Sequence, residues 1–374
     1  MYIKTITCHD VYNAGAKLQC FALCRWLQYQ GHDVEIIDYR PIYLTSAYRL
    51  CGVQNAKYRN NWVLSLIYII THLPKKIKML PQRRAYDKFS REYLKYTAQR
   101  YHSYDELVKN PPIADLYIAG SDQIWNTLFP NGKDAAFYLN FVESEKSVKS
   151  SYAASFATPA IEQSVKSSVS SYLEGLDFIS VREHSGLGIL RDCGIGGGVQ
   201  VVDPVFLLSK ERWLELLPIK PIAEDYILVY DFDDSPKVRE VAQKLAKDGG
   251  CIIYTIQDLS YSDRVLNNID PIGFLSYIIG AKSIISNSFH ATAFSLIFHK
   301  EFWVIPRREN INTRMEDLLS SVNLSHRVIG DIDNNDFDNA IDWVSVESDL
   351  KIAVSRSKEY LQRVLSAAEI KKCE

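Results

Sequence analysis

Lys282-Ser283-Ile284-Ile285-Ser286-Asn287-Ser288-Phe289-His290-Ala291-Thr292-Ala293-Phe294-Ser295-Leu296-Ile297-Phe298 is the stretch on which the reading of this chain turns. A β-branched apolar run ends in a small polar pair, and an aromatic-rich helical pattern follows at once. Strand, tight turn and helix in that order put the His290 imidazole at the carboxyl end of a strand. In open α/β sheets, ligands bind in the crevice outside those ends. Imidazole is the side chain that changes charge near neutral pH, and it can face a bound anion. The plainer reading of the same residue is a histidine that caps its helix or hydrogen-bonds within the core.

Outward from this stretch, strand and helix patterns alternate along the whole chain. Ile3–Cys8 reads as a strand, and Asn13–Gln30 as a helix stopped by Gly31. His32–Tyr39 is the next strand, which completes a βαβ opening. Strands are expected at Ala114–Ala119, Val148–Ala154, Phe178–Val181 and Gln200–Val205, with a helix over Pro159–Leu176. Pro218 and Pro221 punctuate a linker between Leu207 and Asp225. Beyond it the alternation restarts, with strands at Tyr226–Tyr230, Cys251–Ile256, Lys282–Ser286 and Glu301–Ile305. Helices are expected over Val238–Lys247, Phe274–Gly280, Ala291–His299 and Arg314–Val322, and a long amphipathic one over Leu350–Lys372. The 374 residues exceed one ordinary core. The economical architecture is α/β, with two Rossmann-like domains facing across a cleft in a GT-B-like manner. Its expected parts are an N-terminal domain over 1–210, a C-terminal domain over 222–345 and a C-terminal helix over 346–374.

Composition narrows the function classes. The formal net charge is −2, which gives no sign of nucleic-acid binding. Seven cysteines, an odd count with no Cys-x-x-Cys pair, read as buried reduced thiols of a cytosolic protein. The N-terminus has no signal-peptide layout. The longest apolar stretch, Trp62–Ile70, is too short to span a bilayer. One segment breaks the alternation, a basic amphipathic insertion at about 57–104. There the apolar run precedes Lys75, Lys76, Lys78, Arg83, Arg84, Lys88, Arg91, Lys95 and Arg100, opposed by Asp87 and Glu92. A solvated charged face is the ordinary reading. The functional one is peripheral contact with an anionic membrane at its inner face. No His/Asp/Glu cluster has metal-ligand spacing, and no metal or cofactor is expected.

Several further strand ends carry polar residues. Asp10-Val11-Tyr12-Asn13-Ala14-Gly15-Ala16-Lys17 lets backbone approach a ligand at a helix N-terminus, or is simply an Asn13-capped helix start. Gly120-Ser121-Asp122-Gln123-Ile124-Trp125-Asn126 could bind sugar hydroxyls, with Trp125 as a stacking face, or form an Asx turn. Ser180-Val181-Arg182-Glu183 leaves a guanidinium at a sheet edge. It suits a carboxylate or phosphate, or pairs with a neighbouring carboxylate such as Glu183. Gly194-Ile195-Gly196-Gly197-Gly198 lacks the ending of a phosphate loop and reads as a flexible turn.

These motifs, joined by Val202-Asp203-Pro204-Val205, Asn287-Ser288-Phe289-His290-Ala291 and the helix opened by Arg314, resemble the polysaccharide pyruvyl transferase family. They run in family order over roughly residues 1–325. The resemblance implies transfer of a pyruvyl group from phosphoenolpyruvate onto a sugar diol of a cell-surface polysaccharide or lipid-linked glycan, giving a ketal. It implies catalysis by His290, donor binding by Arg182, Asn287, Ser288 and Arg314, and acceptor binding by Asn13, Gly15, Ser121, Asp122, Gln123 and Trp125. It also departs from one form of the family, in which Arg-Leu-His stands where this chain has Ser288-Phe289-His290. Arg314, Arg307 or Arg308 would then replace the missing guanidinium, or the donor differs. Two other readings are a GT-B glycosyltransferase using a nucleotide sugar and a non-catalytic subunit of glycan assembly.

Overall fold

The alternating patterns resolve into two parallel sheets of the same strand order. The computed structural model describes residues 1–45, 50–53, 58, 61–143, 145–309, 311–330, 337 and 339–373. β1 (Tyr2–Ile6), β2 (Asp33–Tyr39), β3 (Tyr96–Tyr101), β4 (Leu116–Ala119) and β5 (Val148–Ser151) lie in the order β3-β2-β1-β4-β5. A short parallel pair, β6 (Ser180–Val181) and β7 (Val199–Gln200), extends this sheet through bridges from Ser150 to Phe178 and from Ala154 to Val181. β8 (Tyr226–Tyr230), β9 (Ile252–Thr255), β10 (Arg264–Val265), β11 (Ser283–Ser286) and β12 (Glu301–Val304) form the second sheet, ordered β10-β9-β8-β11-β12. Strand order reverses between β1 and β4 and again between β8 and β11. These are the switch points at which doubly wound sheets open a crevice.

Strands buried on both faces need continuous apolar sequence, and β8 is buried at every position. The same logic explains two central helices. In the Ala14–Tyr29 helix every residue from Ala14 to Cys24 is buried, and in the Phe289–Phe298 helix all ten are. A helix apolar all round must be enclosed on all sides. Both lie in one core shared by the two halves, tied by aromatic rings. Phe21 meets Trp213 at 5.6 Å between centroids, Trp213 meets Phe294 at 5.2 Å, and Phe294 meets Phe274 at 6.2 Å.

Three expectations need correction. The strand expected over Gln200–Val205 ends at Gln200, and Pro204–Leu207 forms a 3₁₀ turn instead. Pro204 has no N–H for a ladder, and the Asp203 carboxylate accepts from Val205 N at 3.1 Å. The segment at about 57–104, whose residues 57, 59 and 60 lie outside those described, is not wholly an insertion. Helices Trp62–Lys78 and Leu80–Tyr93 come first, and then Tyr96–Tyr101 pairs with β2 as the sheet edge. Edge strands tolerate exposed polar residues such as Gln99 and Arg100, which hid this strand among the charges. The thiols divide as well: Cys20, Cys24 and Cys193 are buried, whereas Cys51 and Cys373 are exposed.

The last helix, Trp343–Cys373, returns to the first sheet. There Tyr360 OH donates to Ser151 O at 2.9 Å and Lys372 pairs with Asp115 at 2.9 Å. No helix among the described residues is long and apolar enough to cross a membrane.

Candidate active site

Loops from both switch points meet between the two halves, and Asp203 lies at their centre. The residue is buried, and its Oδ2 accepts from Arg182 Nη1 at 2.5 Å and from Ser121 Oγ at 3.1 Å. The same oxygen lies 3.7 Å from His290 Nε2, within electrostatic range but long for a hydrogen bond. Burial by itself would raise the Asp203 pKa. The neighbouring His290 and Arg182 outweigh that and hold the carboxyl well below the usual carboxylate range.

Asp122 is the second anion. Its φ of 72° places it in the left-handed region, which aspartate tolerates better than most residues. The turn brings its carboxylate 3.5 Å from Arg182 Nη2 and 3.7 Å from Arg314 Nη1. Gln123, with its amide oxygen turned toward the same guanidinium, accepts from Arg314 Nη2 at 2.8 Å. Phe289 presents its ring to both arginines, with centroid distances of 4.6 Å for Arg182 and 5.7 Å for Arg314. Burial, with the like charge of Arg182 beside it, pushes Arg314 down to about 10, against the pull of Asp122. Arg182 moves the other way, because Asp203 and Asp122 more than offset its burial.

The first half also shapes the space around His290. A Cβ built on Gly15 would fall 2.0 Å from His290 Nδ1, so only glycine lets the first helix approach the imidazole this closely. His290 itself is 7% exposed. A cavity of about 260 Å³ opens beside the cluster and is lined by Arg182, Asp203, Phe289 and Arg314, with Gln200 and Arg356 at its wall. His290 is not part of this lining and meets the cluster through Asp203. The buried Nε atoms of Arg182 and Arg314 and His290 Nε2 have no hydrogen-bond partner. Unpaired buried donors of this kind call for a ligand or ordered water.

The remaining expected site residues are placed differently. Trp125 offers no stacking face for a sugar. It is fully buried, stacks on Tyr138 at 5.2 Å and donates from Nε1 to Phe137 O at 3.0 Å. An indole amid Ile124 and Asn126 reads as a loop aromatic in sequence, but the loop folds inward because the ring is worth more buried. Asn13 caps the first helix, accepting from Ala16 N at 3.1 Å, and Ser288 caps the second, accepting from Ala291 N at 3.4 Å. Asn287 closes its own sheet, with Oδ1 accepting from Phe232 N at 3.0 Å and Nδ2 donating to Asp231 at 2.5 Å. Glu183 forms no pair with Arg182. It is buried and accepts from Phe156 N and Ala157 N at 2.7 and 2.9 Å. Of the three arginines that could stand in for the missing family guanidinium, Arg314 joins the cluster. Arg307 is paired with Asp233 at 3.1 Å and Glu309 at 3.2 Å.

Asp203 is the residue that reasoning from sequence missed. It stood within the family-like run Val202-Asp203-Pro204-Val205 but was given no role there, because an acidic side chain directly before a proline at a strand end reads as punctuation. Among the described residues no group of three His, Cys, Asp or Glu side chains is placed to hold a metal.

Comparison with curated proteins finds no match. Among solved structures, the chain is similar to the UDP-GlcNAc 2-epimerase of Methanocaldococcus jannaschii. That likeness has 12% identity and a TM-score of 0.49, and covers 98% of this chain and 100% of the other. It is also similar to the E. coli heptosyltransferase WaaC with ADP, at 13% identity and a TM-score of 0.36 over 82% of this chain and 87% of the other. Neither likeness bears on a substrate. The sequence model described as polysaccharide pyruvyl transferase matches residues 13–309, most of the chain and nearly every strand-end motif described above, and the chain belongs to that family.

Proposed function

We propose that the chain transfers a pyruvyl group from phosphoenolpyruvate to two hydroxyls of a glycan sugar, releasing inorganic phosphate and forming a ketal. The observation that carries this reading is the pair of buried arginines with unsatisfied Nε donors beside a cavity, next to a buried histidine. The donor bears a carboxylate and a phosphate, and guanidinium groups match both geometries. Arg182 and Arg314 are balanced by Asp203 and Asp122. An incoming dianion therefore takes over part of the Asp122 contact, which is the longer and more open one.

The methylene carbon of the donor gains a proton, which develops oxocarbenium character at C2, and one sugar hydroxyl oxygen bonds to C2 while losing its proton. The C2–O bond to phosphate then breaks, the second hydroxyl oxygen bonds to C2, and its proton leaves with the phosphate. His290 carries these protons, and Asp203 beside it stabilises the imidazolium when it forms. General acid/base assistance of this kind is worth about 10²–10⁴-fold. Asp122 and Gln123, partly exposed, face the reacting sugar from the first half, while the buried Ser121 donates to Asp203.

We also propose that the Trp62–Lys78 helix rests on an anionic membrane leaflet. None of its residues is buried. Trp62, Leu66, Ile67 and Ile70 stand exposed at helical spacing, and Lys75, Lys76 and Lys78 occupy its last turn. Recovery with anionic vesicles and not with neutral ones is expected in sedimentation, and equal recovery overturns the membrane reading.

The test of transfer is calorimetry with phosphoenolpyruvate, alongside phosphate release in the presence of glycan acceptors. Wild type binds the donor, and Arg182→Lys, which keeps a charge beside Asp203 but loses the forked geometry, binds it at least about tenfold more weakly. His290→Ala is expected to bind the donor and lose turnover by about 10²-fold or more. Absence of donor binding, or undiminished turnover in His290→Ala, overturns the reading.

A further inference from the structure

A second and larger cavity, of about 590 Å³, lies outside the carboxyl ends of β1, β2 and β3 and takes no part in the chemistry above. Five cationic side chains line it: Lys17, Arg40, Arg83, Arg91 and Arg100. Three carboxylates, Asp10, Asp38 and Asp87, line it as well. The carboxylates do not neutralise the cations evenly. Asp38 binds Arg40 at 2.5 Å and Arg100 at 2.9 Å, and Asp10 also binds Arg40, at 3.1 Å. Asp87 accepts from Tyr12 OH at 3.3 Å. Lys17, Arg83 and Arg91 have no carboxylate within ion-pair distance among the described residues.

Lys17 is the most telling of the three. It is 3% exposed, it makes no ion pair or side-chain hydrogen bond among the described residues, and burial pushes its ammonium down to about 8 against the pull of Asp10. A lysine almost fully removed from water with no partner is costly unless something anionic comes to it. His9, fully buried and 3.7 Å from Asp38, has no hydrogen bond to either ring nitrogen among the described residues, and burial, with the nearby Lys17 charge, pushes it down to about 3. Arg83 Nε is likewise buried and unpartnered.

Position ties this cavity to the candidate active site. Lys17 and Gly15 share the first turn of one helix, and the Gly15 backbone faces His290. The wall bearing Arg83 and Arg91 is the Leu80–Tyr93 helix, which directly continues the exposed apolar Trp62–Lys78 helix.

We propose that this cavity binds the phosphate or diphosphate group of a phosphorylated glycan acceptor, with Lys17, Arg83 and Arg91 as its ligands. The proposal rests on the transfer reading for the word acceptor; the anion site itself does not. A sugar carried on such a group would reach from the cavity past the first helix turn toward His290.

The test is calorimetry of inorganic pyrophosphate with the full chain, compared with phosphoenolpyruvate binding on the same samples. Wild type is expected to bind pyrophosphate, Arg91→Ala and Lys17→Met to bind it at least about tenfold more weakly, and Arg182→Lys to bind it unchanged. Arg91 is exposed, so its variant remains informative if the Lys17 variant fails to fold. No binding by wild type, equal binding by Arg91→Ala, or loss only in Arg182→Lys overturns the proposal. Pyrophosphate binding without phosphoenolpyruvate binding upholds the anion site and brings down the donor reading. Farnesyl diphosphate competing more tightly than pyrophosphate assigns a lipid-linked source. Competition no tighter than pyrophosphate assigns a soluble sugar phosphate.

Discussion

The two sheets have the same strand order, yet their switch points are finished in opposite ways. At the second, between β8 and β11, the polar residues satisfy one another: Asn287 bonds Asp231 and Phe232 N, and Asp231 also accepts from Asp233 N and Ser235 N. His290 and the Phe289 ring leave that closed network and cross to the other half, to Asp203 and Arg182. At the first, between β1 and β4, the polar residues bond to other loops. Ser121 and Asp122 reach Asp203 and Arg182 of the first half and Arg314 of the second, and two nearby helices leave Lys17 and Arg91 without carboxylate partners among the described residues. One switch point mounts an imidazole and a ring, and the other, joined by Arg314 from the second half, supplies the charges around them. A shared topology fixes where a crevice opens, while the hydrogen-bond inventory of each loop decides whether that crevice is filled or available.

Removing the hub should have the largest effect. Asp203→Ala leaves Arg182 buried with only the longer Asp122 contact, and stripping one partner from a buried pair costs about 3–5 kcal/mol. Urea unfolding should show that loss; a change below about 1 kcal/mol would mean the two halves do not depend on the hub. Gly15→Ala should cost about 1–3 kcal/mol, because its Cβ would meet the imidazole. Adding His290→Ala removes the ring but leaves its Cβ 2.7 Å away, so it should recover part of that loss, and a double variant no more stable than Gly15→Ala alone would place the clash elsewhere. Asn287→Ala should cost about 1–3 kcal/mol by orphaning Phe232 N–H in the closed network, with donor binding unchanged. Weaker phosphoenolpyruvate binding in that variant would show that the second switch point contacts the ligand after all.

The smallest expected effect is on pH dependence. The folded pKa of Asp203 is depressed, so its stabilisation is present above the unfolded value of about 3.9 and is lost as pH falls below it. Acid unfolding of Asp203→Asn should therefore be less steep than that of wild type below about pH 4. Parallel acid limbs would show that His290 and Arg182 do not hold this carboxyl down.

Much of this was legible along the chain because it depended on local pattern. The run Ser283–Ser286 followed by Phe289–Phe298 had to be strand and helix, and Tyr226–Tyr230 had to be a strand buried on both faces. His290, Arg182 and Asp122 were recognisable as polar groups at strand ends and Arg314 as the opening of a family-like helix; Arg182, Asp122 and Arg314 meet, and His290 joins them through Asp203. What was not legible was direction. Trp125 and Asp122 lie three residues apart in one polar loop, yet one ring packs into the core and the other side chain faces two arginines. The edge strand Tyr96–Tyr101 was hidden because edge positions permit the charges that usually mark a surface loop.

The doubly wound α/β fold, the strand ends and the family motifs are written locally in the chain, since periodicity and turn chemistry act over a few residues. Tertiary structure decided that Asp203 would join Arg182, Ser121 and His290, and that Lys17 would be buried beside an open cavity. Those outcomes depend on contacts between residues 82 and 87 positions apart, in the pairs Ser121–Asp203 and Asp203–His290, and on one glycine close enough to touch a histidine from the other half. No local preference encodes such a meeting; burial against a shared core brings it about.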